Sequence, residues 1–426
     1  MDSTIKMNTF CADHIQKKRG VFTIPVFSAG DVFLFVIFFL SLQRFGLNLN
    51  GTGVSASYFF LLLLIFHVRK VVISVSALPY FFVFTVIFLA GFPELILQDF
   101  NYQIRTIASF LAFISPLFLL FVKFEKKDMT IFTYATILSC IGISMQSIMG
   151  FLIHGTLNVF RLKGLIGSQR YGFILCLGFF LTLYHTRIRP LPKFFIASII
   201  TMGMALTFSR STVVALFAAL AVQLFSNFPK SVIVHSKFKM TTLSSAFLLS
   251  SLFVLTVFYL YEDILRIWNF FNTNLIESFL DGRMAAARFD PASSEGYRIY
   301  IFKQIMEYIS DHPFFGSCYS GLYLLFAEYG GEASVHNQYM DVLLRTGLIG
   351  FGFYIFLLFK LMKFYWKECH EIFYGLVAIL VYGLVHETFK LGYGAFIFGF
   401  LFSYQFWMNK ERILNTDFCH SKELSS

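Results

Sequence analysis

The stretch VHNQYMDVLLRTGLIG, residues 335–350, opens with an imidazole beside an amide and then turns apolar. From its start to Lys360 the only charges are Asp341 and Arg345. An apolar run of this length reads as a membrane helix, because a span needs about 20 mostly apolar residues. A helix that only crosses a bilayer has no use for His336 and Asn337 at its start. The pair points to a polar task at the lip of an apolar element.

The rest of the chain repeats the apolar theme. Hydrophobic residues make up 57% of the 426 and charged ones only 14%, against about a quarter charged in a soluble domain. A water-soluble core could not absorb that much apolar surface without large exposed patches. The expected fold class is an all-α polytopic membrane protein. Twelve windows are apolar enough to be spans: 24–44, 54–68, 73–93, 105–122, 129–153, 171–186, 193–208, 211–228, 241–261, 339–359, 371–386 and 391–408. The N-terminal 22 residues are polar, and the run after them lacks a cleavage-site pattern, so it reads as a first span rather than a signal peptide.

Charge sets the orientation. With the N-terminus inside, every inside segment is basic, including HVRK (67–70), KFEKKD (123–128) and KLMKFYWKECH (360–370), as membrane topology requires. The expected organisation is a cytoplasmic tail (1–22), nine helices (23–261), one large outside loop (262–338), three helices (339–408) and a second cytoplasmic tail (409–426). Net charge is +10, but the bases sit in short clusters between spans, which excludes a nucleic-acid surface and fits topology and anionic lipid. The six cysteines form no CxxC or other metal-like spacing. Within the large loop, GYRIYIFKQIMEYISDHPFFG (296–316) reads as an amphipathic helix with Phe302, Ile305, Met306 and Ile309 on one face and Arg298, Lys303 and Glu307 on the other. Asp311 and Pro313 end it, and Gly316 permits a tight turn.

The outside segments favour Arg where the inside favours Lys, and Arg is the better fork for phosphate or carboxylate. Arg210 sits between two apolar runs with almost no loop around it. It reads either as an interface residue that snorkels or as an anchor for an anion beside a helix N-terminus. Arg161 and Arg170 flank a loop whose Gly164 and Gly167 allow close backbone approach; ordinary outside charge is the alternative. His336 is a candidate general base, since imidazole titrates near neutral pH. Asn337 either orients it, bonds a sugar, or caps the helix. No DxD or HExxH pattern suggests a metal and no P-loop suggests a nucleotide. No cofactor is expected, and the energy for chemistry must arrive with a lipid-borne or otherwise pre-activated substrate.

In order, RLKGLIGSQRYG (161–172), TFSRSTVVAL (207–216), YRIYIFKQIMEYISDHPFFGS (297–317) and VHNQYMDVLLRTGLIG resemble the O-antigen ligase and O-antigen polymerase superfamily of bacterial envelope enzymes. The resemblance implies metal-independent, inverting glycosyl transfer at the periplasmic face of the inner membrane. The donor would be a glycan on undecaprenyl pyrophosphate and the acceptor a sugar hydroxyl, on lipid A–core for a ligase or on another lipid-linked repeat for a polymerase. It further implies that Arg161, Arg170, Arg210 and Arg298 are candidates to hold the pyrophosphate, leaving open which of the first two aligns, with His336 as base, Asn337 nearby and a chain-length regulator protein as a partner. Ser334-Val335 stands where many ligases carry a second His, and the outside loop is modest for a bulky lipid A–core. Both features favour the polymerase, with the ligase as alternative. A lipid-glycan flippase or other transporter fits less well, because charges inside spans are few and no repeated halves are visible.

Overall fold

The computed structural model describes residues 47–49, 52–54, 72, 74–154, 171–185, 188–206, 209–231, 294–325, 335–388 and 392–423. Apart from a small antiparallel hairpin, β1 (Leu47–Leu49) with β2 (Thr52–Val54), the elements among the described residues are helices. The protein is an all-α membrane protein. Nine of the twelve expected spans fall on described helices; windows 24–44 and 241–261, and most of 54–68, lie outside the described residues. Among the described residues, Tyr102–Phe121, Lys126–Gly150 and Gln338–Glu368 are long and apolar enough to cross a membrane, and five apolar helices are shorter.

The helices are α1 (Leu78–Ala90), α2 (Phe92–Leu97), α3 (Phe100–Phe118), α4 (Lys126–His154), α5 (Gly172–Tyr184), α6 (Pro190–Leu206), α7 (Arg210–Ser231), α8 (Ser294–Asp311), α9 (Leu322–Leu325), α10 (Gln338–Glu368), α11 (His370–Tyr382) and α12 (Gly392–Glu423). Two compact units divide them. The first comprises Met1–Ser139, Tyr308–Phe373 and Gly383–Ser426, the second Cys140–Glu307 and Tyr374–Tyr382.

In the first unit, α3 starts at an Asp99 cap whose Oδ1 accepts from the Tyr102 amide at 2.7 Å. It packs on α1 through aromatic rings, Phe88 on Phe110 at 4.2 Å and Phe81 on Phe118 at 5.3 Å. Pro116 sits inside α3 and has no N–H to give. The Ser115 hydroxyl donates to the Ala112 carbonyl instead, at 3.2 Å, the kind of local repair that lets a bilayer helix carry proline. Against that proline lies Gly399 of α12, where a Cβ would come within 2.5 Å of the Pro116 carbonyl oxygen. At the basic end of this unit Lys123 pairs with Glu411 at 2.8 Å, Lys360 donates to the Tyr80 hydroxyl at 3.1 Å, and Lys410 donates to Ser74 at 3.0 Å. Hydrogen bonding to Glu411 raises the Lys123 pKa.

In the second unit α5 is buried at every residue from Gly172 to Thr182. It has no lipid face to cover, so its 13 residues, about 20 Å, need not match a bilayer. Neighbours approach closely at glycines: a Cβ on Gly172 would lie 1.9 Å from the Thr212 hydroxyl, and one on Gly375 would lie 2.3 Å from Leu177.

Two helices depart from their expected form. The buried stripe of α8 is Ile301, Ile305 and Ile309, while Phe302 and Met306 are 48% and 40% exposed. The i, i+4, i+8 spacing of the isoleucines defines a narrower stripe than the expected face. The last helix continues past the expected boundary at 408 to Glu423.

Candidate active site

The HPFFG and RTGLIG motifs form one device in the first unit. Gly347 breaks α10 with φ 61° and ψ −168°, a backbone region open essentially to glycine alone. The break separates a nine-residue short arm, 338–346, from a long arm, 348–368. The turn that follows α8 fills the gap. Ser317 and Tyr319 amides donate to the Leu344 and Arg345 carbonyls at 2.7 and 2.9 Å. Leu348 and Ile349 amides donate to the Pro313 and Phe314 carbonyls at 2.8 and 3.3 Å. Four backbone groups freed by the break are thus repartnered, which non-helical backbone at membrane depth requires. The two glycines meet back to back. A Cβ on Gly316, at φ +60°, would lie 2.4 Å from the Leu344 oxygen, and one on Gly347 would lie 2.3 Å from the Phe314 oxygen.

The bend redirects the start of α10. Gln338 lines the same cavity as Tyr354 and Leu357, together with Phe84, Ala112, Phe113, Pro116, Leu117 and Phe398. Along an unbroken helix Gln338 and Tyr354 would stand about 24 Å apart. The short arm therefore folds back along the long one, and the residue after Asn337 lies buried in a cavity that Phe84 of α1, Pro116 of α3 and Phe398 of α12 also line. The His336–Asn337 pair is not at the open lip of a straight span, as the sequence suggests. The nine-residue arm, about 14 Å, is too short to cross.

Arg345 locks the arm. It is 8% exposed, pairs with Asp341 one turn earlier at 2.8 Å, and donates to the Tyr319 carbonyl at 2.9 Å and to the Ser109 hydroxyl. Gly321, at φ +63°, makes room for the guanidinium: a Cβ there would lie 2.6 Å from it. Tyr319 follows the same turn inward, its ring among Phe88, Phe110 and Phe113 and its hydroxyl donating to the Phe84 carbonyl at 3.1 Å. Beside it lies a polar cleft lined by Glu94, Tyr102, Thr106, Ser317, Cys318 and Ser320. Tyr102 donates to Ser320 at 2.5 Å. Burial, with the Glu94 carboxylate nearby, pushes Tyr308 up to about 12 and Cys318 up to about 11, so the thiol is protonated and a poor nucleophile at neutral pH.

Asn337 caps the short arm. Its Oδ1 accepts from the Tyr339 and Met340 amides at 2.9 and 3.1 Å, the capping alternative raised by the sequence. His336 is half-buried at φ 53°, a left-handed conformation uncommon for a residue with a Cβ. Its ring meets that of His386 edge-on, with centroids 6.5 Å apart. Val335 N–H donates to Glu387 Oε1 at 3.1 Å, and Gln338 N–H to the Gly383 carbonyl at 2.8 Å. Sequence reasoning passed over His386 and Glu387, although they end an apolar run as His336 and Asn337 begin one. It also left Arg345 as an unexplained charge inside a span.

In the second unit Arg210 is the first residue of α7. Ser209 precedes it, with its hydroxyl 2.9 Å from that of Ser211 and accepting from the Thr212 amide at 3.4 Å. The Tyr382 phenol lies close to Ser209, Ser211 and Thr212. Arg298 lies on α8. Arg161 and Arg170 lie outside the described residues. Among the described residues no group of three or more His, Cys, Asp or Glu could hold a metal ion.

The turn, the corner and the Arg210 helix start all fall within residues 194–355, which match a family model described as O-antigen ligase. Over that segment the chain is similar to the O-antigen ligase family. A comparison with curated proteins finds no match. Members of this family are glycosyltransferase-like enzymes acting on lipid-linked glycans and membrane lipids. The match begins inside α6 and ends at Ile355, just past the corner, so the device built from Pro313–Gly316 and Gly347–Gly350 lies inside the O-antigen ligase segment.

Proposed function

We propose that the protein polymerises undecaprenyl-pyrophosphate-linked oligosaccharide repeats at the periplasmic face of a bacterial inner membrane. The single observation that carries this reading is the O-antigen ligase match over 194–355, within which His336 stands in a held, left-handed turn. In the proposed reaction an acceptor sugar hydroxyl attacks the anomeric carbon of the donor glycan. A carbon–oxygen bond forms and the bond to the pyrophosphate oxygen breaks, the pyrophosphate leaving with the electron pair. The hydroxyl proton passes to the His336 imidazole. Arg210, Arg298 and one or both of Arg161 and Arg170 neutralise the departing diphosphate without reorganising. The first turn of α7 adds its own preference for an anion. Asn337 serves the site through the cap that fixes the short arm.

The cytoplasmic side expected for the C-terminus fits the contacts of the first unit. Lys123, Lys360 and Lys410 gather at one end of its helices, and Tyr102–Ser320 and Val335–Glu387 at the other. A ligase that transfers the glycan to lipid A–core is the second reading, favoured by the description of the matched family. A chain-length regulator is a proposed partner of the polymerase.

Deleting the gene and separating lipopolysaccharide on a gel tells the readings apart. A core bearing one repeat marks a polymerase, and a bare core with accumulating lipid-linked polymer marks a ligase. An unchanged ladder with capsule missing marks an exopolysaccharide polymerase. His336→Ala and Arg210→Ala should insert normally and abolish long chains. Normal chain lengths from either variant would remove that residue from the site.

A further inference from the structure

We propose that the Gly383–Glu387 turn, through Glu387 and His386, is the positioning element for His336; this rests on His336 being the base proposed above. Three contacts converge on four consecutive residues. The Glu387 carboxylate accepts from the Val335 amide at 3.1 Å, immediately before His336. The Gly383 carbonyl accepts from the Gln338 amide at 2.8 Å, two residues after it. Between these clamps the His386 ring stands edge-on to the His336 ring, with an interplanar angle of 77° and centroids 6.5 Å apart.

The short arm does not need this turn for its own anchorage. Its far end is held by four backbone hydrogen bonds and by Arg345, and its near end by the Asn337 cap. What the turn adds is control of one residue. His336 holds a backbone conformation that persists only where its surroundings over-determine it, and the clamps on either side come from the same five-residue turn. A base must sit within hydrogen-bond reach of the proton it takes, and a swing of about 1 Å in its position is enough to cost on the order of a hundredfold in rate. Glu387 and His386 are positioning residues, acting through His336 rather than on the sugar.

The test uses full-length protein in membranes of the deletion strain, whose accumulated lipid-linked repeat is the probe. The readout is polymer formed per unit time at matched protein level. Glu387→Ala should slow polymer formation at least tenfold. Glu387→Gln should stay within threefold of the parent, because its amide oxygen still accepts from Val335. His386→Phe keeps a ring against His336 and should outperform His386→Ala by fivefold or more. Should Glu387→Ala fail to reach the membrane, Glu387→Asp replaces it: the carboxylate withdrawn by one methylene should be as slow as the alanine. Glu387→Ala within threefold of the parent, Glu387→Gln as slow as Glu387→Ala, or His386→Phe no better than His386→Ala would each overturn the assignment. If His336→Ala keeps the parental rate, the assignment of the base fails and this inference with it. If His336→Ala is inactive while Glu387→Ala is not, this inference alone fails.

Discussion

Two residues flanking the short arm of α10 adopt the left-handed backbone: Gly347 at φ 61° and His336 at φ 53°. At Gly347 the residue type suits the conformation, and four hydrogen bonds between the corner and the 313–319 turn replace those lost from the helix. At His336 a residue with a Cβ stands where glycine would fit at lower cost, since the left-handed region costs an L-residue about 1–2 kcal/mol. The first end is built for stability. The second keeps an imidazole in spite of stability, as the base role proposed for it would require.

The comparison breaks most visibly at the corner. Gly347→Ala puts a Cβ 2.3 Å from the Phe314 oxygen in a glycine-only conformation, and it should cost about 4 kcal/mol or more. The measurement is the yield and thermal midpoint of monodisperse protein in detergent. Next comes Arg345→Met, which leaves the buried Asp341 without its guanidinium and should cost about 3–5 kcal/mol. Changing Asp341→Leu in the same chain should recover part of that loss, read as a rise in thermal midpoint. Asn337→Ala removes the cap and should cost about 1 kcal/mol, with Asn337→Asp near the parent. The smallest effect on the fold, and the sharpest for the comparison, is His336→Gly. It should match or exceed the parental thermal midpoint while polymer formation falls about 10²–10⁴-fold. A destabilised but active His336→Gly would reverse the contrast drawn between the two ends.

The helices were legible because apolar runs announce them. The turn after α8 was legible because Asp311, Pro313 and Gly316 cluster there. The corner was not, because DVLLRTGLIGF reads as one continuous apolar run. The signals were present in Gly347 and in Arg345, a charge that a simple span would not carry. The reversal depends on pairing with residues some 30 positions earlier, and no local pattern encodes a partner that distant. His386 and Glu387 were missed for the same reason, since their meaning comes from facing residues 335–338. Arg210 was singled out by its position between two apolar runs, and α7 does start on it. The narrower stripe of α8 shows that periodicity gives the side of a helix but not the width that packing buries.

Gly316 and Gly347 each occupy space that a methyl group on the other strand of the corner would need. The two motifs are therefore one exchangeable part. A chimera that imports one from a relative without the other inherits mismatched halves of a hinge, so segment swaps meant to alter acceptor choice should move 308–350 as a single block.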